Sequence, residues 1–99
     1  MGDEQGAGTR GGGRRLPVRE RVRAAREEFE ELTGIPVESV SGLERTGDGW
    51  TVTLEVLEMR RVPDSVSVLA TYTVDLDEDG EVAGYRRIRS YPRGRADRA

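Results

Sequence analysis

Several groups of residues in this chain have types and spacings that could do chemistry. Glu55 and Glu58 suggest paired carboxylates for acid–base work. Three residues apart in a regular strand, however, they project from opposite faces and cannot share one substrate without a bulge. Asp75, Asp77, Asp79 and Gly80 match the opening of a calcium loop. The match then fails, because Arg86 occupies the twelfth position, where a bidentate Glu is needed. An acidic hairpin turn explains these residues better. Gly6, Gly8 and Gly11 fit G-x-G-x-x-G, but without the preceding strand and following helix that give that motif its dinucleotide meaning. Tyr85, Arg87, Arg89 and Tyr91 alternate near the C-terminus, which predicts a shared strand face opposite Arg86 and Ile88. Such a row can stack bases and hold phosphates. It can equally cover a sheet with amphipathic side chains, the reading favoured by the acidic middle of the chain. With no histidine and no cysteine, the commonest general base, the commonest metal ligand and all thiol chemistry are excluded. No catalytic set, no metal site and no cofactor is expected.

The charge is segregated. The formal net charge is -3, but residues 24–80 hold fourteen acids against four arginines. Residues 1–23 hold six arginines against three acids, and residues 81–99 six against two. All sixteen basic residues are arginine, the side chain suited to bidentate pairing with carboxylate or phosphate. The basic ends can therefore meet an acidic partner, a nucleic acid or the acidic middle of the same chain. No apolar run approaches the ~18 residues of a membrane span, and no apolar leader is visible, so a cytoplasmic location is expected.

The elements that must position these residues follow from periodicity. Residues 1–16 are rich in glycine and arginine and poor in large apolar side chains, which predicts a disordered tail. Residues 17–92 read as one domain, and 93–99 as a basic flexible tail. Pro17 suits the first turn of a helix. Val18, Val22, Ala25, Phe29 and Leu32 then fall on one helical face, and Gly34 and Pro36 supply the stop. That face packs on a sheet or, in a sharper reading, on a partner helix. Glu27, Glu28, Glu30 and Glu31 crowd the helix end where the macrodipole favours bases. Local helix stability does not explain them; they are a solvated face or a docking feature.

Val37–Arg45 reads as a weaker strand with a bulge near Ser41-Gly42, and Thr46–Gly49 as a hairpin turn. Trp50, Val52, Leu54 and Val56 alternate with Thr51, Thr53 and Glu55, giving a strand with one buried and one wet face. Glu58 would lie on the apolar side. It needs an arginine across the sheet or a solvated strand end. Val66, Val68, Ala70, Tyr72, Val74 and Leu76 form the next strand. Leu57, Met59 and Leu69 sit on the nominally wet side, as a contact patch or as scattered surface apolars. Val82–Tyr91 is the last strand. The sum is an α+β domain, one N-terminal amphipathic helix packed on a four-stranded antiparallel meander sheet.

The sequence resembles the gas vesicle protein O family. The resemblance is carried by Trp50 opening a strand, by Glu55 and Glu58 within LEVLEMRRVPDS, by VLATYTVDLDEDGE and by GYRRIRSYPRG. Ser67, Thr73 and Ser90 depart from the expected Asp, Glu and Arg. The resemblance implies a non-enzymatic accessory factor in gas vesicle assembly, soluble or vesicle-associated. Its implied partners are other gas vesicle accessory proteins and nascent shell protein. The alternative is a nucleic-acid-binding or regulatory protein using the arginine-rich ends, a reading the acidic middle disfavours. The residues expected to meet a partner are Glu55, Leu57, Glu58, Met59, Leu69, Tyr85, Arg86, Arg87, Arg89 and Tyr91. Oligomeric state is not fixed by the sequence.

Overall fold

A computed structural model describes residues 17–96; the expected tail over 1–16 and residues 97–99 lie outside the described residues. Helix α1 spans Val18–Thr33. Pro17 stands just before it as the N-cap residue, and its carbonyl accepts from the amides of Glu20 and Arg21. Gly34 ends the helix with φ 74°, a left-handed conformation that glycine adopts without a Cβ penalty. Its amide closes the last turn on the Glu30 carbonyl at 2.8 Å.

Four strands follow: β1 (Val37–Thr46), β2 (Gly49–Met59), β3 (Val68–Leu76) and β4 (Val82–Pro92). They form one antiparallel sheet in the order β1-β2-β3-β4. The β1–β2 hairpin turns through Gly47, whose φ of 53° suits a two-residue loop. At Gly49 a Cβ would stand 1.8 Å from the Leu76 carbonyl oxygen, so no larger residue fits against β3. Between β3 and β4, the Asp77 carboxylate accepts from the amides of Asp79 and Glu81, and Gly80 takes φ 87°. The acidic run is thus a hairpin turn organised by its first aspartate.

The core lies between α1 and one face of the sheet. Ala25 and Phe29 press on Val52, Leu54 and Val56 of β2 and on Ala70, Val74 and Leu76 of β3, with Val37 at the start of β1. Val22 packs at the margin, whereas Val18 and Leu32, at the ends of the predicted stripe, remain exposed. Burying side chains of this size contributes about 1.5–3 kcal/mol each. Two helix side chains fasten the start of β1. Arg26 Nη2 donates to the Val37 carbonyl (3.0 Å), and Glu30 Oε2 accepts from the Val37 amide (2.7 Å). One glutamate of the acidic helix end therefore has a structural task.

Register breaks shape the rest. The pairing skips Glu38 and Ser41 on β1, Glu58 on β2, and Ala83 and Ile88 on β4. Each skip is a bulge that re-aims the side chains beyond it. The break at Ser41 lies where the sequence placed it. Arg93–Ala96 form one helical turn after β4. No helix among the described residues is long and apolar enough to cross a membrane.

Candidate partner-binding surface

The bulge at Ile88 overturns the expected single row on β4. Tyr85 pairs with Val74 and Arg87 with Tyr72, so both lie on the helix side. There Phe29 meets Tyr72 edge-on at 5.0 Å and Tyr85 at 5.6 Å. Past the extra residue, Arg89 pairs with Thr71 and Tyr91 with Leu69, on the opposite face. Strict alternation predicted four residues together; one inserted residue separates them two and two. They do not form one stacking platform.

On the face away from the helix, Glu55 is the hub. Its carboxylate accepts from Ser41 of β1 (2.7 Å), Thr71 of β3 (2.7 Å) and Tyr91 of β4 (2.5 Å). One carboxylate on β2 thus ties all four strands. Burial alone would raise its pKa. The hydroxyls of Ser41, Tyr91 and Thr71, with the charge of Arg89, outweigh burial and hold it below the usual carboxylate value. The same contact works the other way on the phenol. Burial first, then the hydrogen bond and charge of Glu55, push Tyr91 up to about 12. Arg89 lies over the Tyr91 ring, 4.9 Å from its centroid.

Leu57 and Leu69, expected on a wet face, are 6% and 5% exposed. Of that trio only Met59 is exposed. Two residues at and just beyond the end of β4 reach back to β2 and β1. Tyr91 crosses β3 to reach Glu55. Arg93, at the start of the expected tail, reaches back to β1, where its Nη1 and Nη2 bond Glu38 at 2.9 and 2.6 Å. Its Nε stands 2.8 Å from Asp64, and its amide donates to the Ser67 carbonyl. The Arg93 hydrogen bonds hold the Glu38 carboxyl below its ordinary pKa.

Glu58 belongs to a separate network. Arg87 donates to it from Nε (2.7 Å) and Nη2 (2.9 Å), a bidentate pair. The arginine lowers the pKa of Glu58, and Glu58 raises that of Arg87. The pair is the arginine-across-the-sheet solution, supplied from two strands away. Among the described residues Glu55 and Glu58 share no hydrogen-bond partner, so even with its bulge the strand does not assemble them into one acid–base pair.

The exposed members of the expected set are Met59, Tyr85, Arg86, Arg87 and Arg89. Sequence reasoning passed over Ser41, Thr71, Glu38 and Arg93, which build the networks. Arg93 had one visible signal, a basic residue two positions beyond the last predicted strand in a chain with an acidic middle. The serine and threonine had none. Departures from the family pattern are partly absorbed: Ser67 Oγ donates to Asp64 (2.9 Å) and accepts from the Arg61 amide (2.9 Å). Thr73 Oγ1 is buried without a hydrogen-bond partner among the described residues.

Comparison with known proteins bears on identity. The family model described as "Gas vesicle synthesis protein GvpO" matches residues 4–97. Gas vesicle protein O of Streptomyces sp. (strain CB03234) is 58% identical over 78 residues, covering 79% of this chain and 61% of that protein. Gas vesicle protein O of Haloferax mediterranei is 37% identical over 71 residues, covering 71% and 51%. Gas vesicle protein O1 of Halobacterium salinarum is 34% identical over 70 residues, covering 71% and 59%. The chain thus spans between about half and three fifths of the length of these curated relatives. No solved structure matches it. The reach of the family model, over nearly the whole chain, makes this protein a member of the gas vesicle protein O family.

Proposed function

We propose that this protein is a non-enzymatic accessory factor in gas vesicle synthesis, cytoplasmic or vesicle-associated, that acts by contact with other gas vesicle proteins. The observation that carries the proposal is the family match over residues 4–97. Two features of the geometry support the contact reading. First, the carboxylates that sequence inspection offers for catalysis are occupied internally and held in their charged form. A general acid near neutral pH needs the opposite shift. Second, Met59, Tyr85, Arg86, Arg87 and Arg89 present exposed apolar, aromatic and guanidinium groups, types suited to protein contacts. Glu55, Glu58 and Tyr91 then serve the surface by fixing the strands that display it. Leu57 and Leu69 drop out, being buried.

The direct test is affinity capture of the tagged full chain from cells carrying a gas vesicle gene cluster. Co-purification of gas vesicle proteins is expected, weakened by R86E and R89E together. Recovery of none of them, combined with normal vesicles after deletion of the gene, would overturn the proposal.

A further inference from the structure

The acidic end of α1 has no full explanation within one copy of the chain. Glu30 binds the start of β1, but Glu28 and Glu31 are exposed and form no ion pair among the described residues. They sit at the helix end where the macrodipole favours cations. The edge strand β4 has the complementary problem. Its eleven residues include three arginines and no acid, and Arg86 makes no ion pair among the described residues.

These two features share one side of the molecule. Arg21 donates to the Glu78 carbonyl, which places its side of the helix above the β3–β4 turn. Glu28 and Leu32, seven and eleven residues further on, fall within about 20° of the same direction. The β4 flank of α1 is therefore acidic with an exposed leucine. Directly below it lies the edge of β4. Viewed from that side, carboxylates form the upper layer and guanidiniums the lower. Leu32 (57% exposed), Tyr85 (45%) and Ile88 (50%) are the exposed apolar side chains of α1 and β4 toward this side.

We propose that this side is a two-fold interface with a second copy of the chain. A two-fold axis lying in the plane of this interface, along the direction of β4, sets the helix layer of each copy against the β4 layer of the other. Glu28 and Glu31 then face Arg86 of the partner in both directions, around a shared apolar centre. The axis makes the contact reciprocal, so one patch satisfies both unexplained features. Direct pairing of β4 with β4 does not occur, because the bulges at Ala83 and Ile88 break the edge. Pairing about the Arg86–Arg89 segment would also oppose guanidinium to guanidinium. The inference is independent of the role in gas vesicle synthesis.

Sedimentation equilibrium of the full chain over about a hundredfold concentration range reads the mass directly. A monomer–dimer equilibrium is expected, weakened by salt. The variant E28R/E31R and the variant R86E each change exposed residues, with circular dichroism confirming the fold. Each is expected to weaken its own dimer about tenfold or more. Mixing the two in equal amounts restores dimerisation, because every charge contact in the mixed dimer is again attractive. A chain that stays monomeric throughout would overturn the inference, and so would a dimer indifferent to the reversals. Individually weakened variants that fail to recover on mixing would overturn the two-fold arrangement.

Discussion

On the helix side of β2, Val52, Leu54 and Val56 are sealed beneath Ala25 and Phe29. On the other side of the same strand, Glu55 gathers hydroxyls from β1, β3 and β4. Both faces bring together residues distant in sequence. The first does so by excluding water from interchangeable apolar groups, an energy proportional to area and tolerant of direction. The second uses hydrogen bonds to one anion, where each donor must arrive at a fixed distance and angle. The difference separates what sets the stability of this domain from what sets the register of its strands.

The largest way to sharpen that contrast is to remove the apolar side. Phe29→Ala deletes the ring that meets Tyr72 and Tyr85 and leaves a cavity beneath the helix. A loss of about 3–5 kcal/mol is expected by denaturant titration, enough to unfold much of so small a domain. A loss below about 1 kcal/mol would mean that α1 is not the cover of the sheet.

Next comes the polar hub. Glu55→Gln keeps the shape but removes the charge that three hydroxyls serve. A loss of about 2 kcal/mol is expected. The sign of the pH dependence follows from the lowered pKa. In the wild type, the Glu55 contribution is fully present above the ordinary carboxylate pKa of 4.5 and disappears as pH falls through the lower folded value. The variant should lose that part of the acid sensitivity. Identical acid unfolding curves would show that the hub adds nothing to the fold.

How much of this was legible in the sequence divides along the same line. The helix from its stripe and Gly34, the meander from its short turns, and the buried row of β2 all follow from period 3.6 or period 2. The Glu55 network does not, because alternation holds only while the register is unbroken. Glu38, Ser41, Glu58 and Ile88 are themselves the inserted residues. Three of them carry the polar contacts: Glu38 to Arg93, Ser41 to Glu55, Glu58 to Arg87. The fourth turns Arg89 and Tyr91 away from Tyr85 and Arg87. A bulge requires no particular residue type, so apart from the one near Ser41-Gly42 nothing in the local pattern announced where the faces exchange. Strict alternation also made Leu57 and Leu69 look wet, although both are buried.

Tyr91 tests the hub from its other end. Tyr91→Phe removes one donor to Glu55 and should cost about 1 kcal/mol near neutral pH. Spectrophotometric titration adds a readout that packing alone would not move. With its pKa raised to about 12, Tyr91 contributes stability that is present below the unfolded value of 10.0 and is lost as pH rises through the folded one. The variant should lack the late-titrating phenol and should be less sensitive to alkali across that interval. If the late step survives in Tyr91→Phe, the phenol bound to Glu55 has been misidentified.

The smallest effect is expected at a contact whose geometry is nearly ideal. Arg87 and Glu58 form a bidentate pair, two parallel bonds at 2.7 and 2.9 Å. Yet about half of the Arg87 side chain is in contact with solvent. Water screens such a pair, and holding two long side chains in one geometry offsets most of what the attraction supplies. Glu58→Gln is therefore expected to leave the unfolding midpoint nearly unchanged, and the small difference should vanish at high salt. The contrast with Glu55→Gln isolates the role of enclosure, since both changes remove one carboxylate charge from the same strand, three residues apart. Should Glu58→Gln prove as costly as Glu55→Gln, solvent exposure would not be what distinguishes the two networks, and the Arg87 bridge would count as part of the frame of the sheet rather than as surface available to a partner.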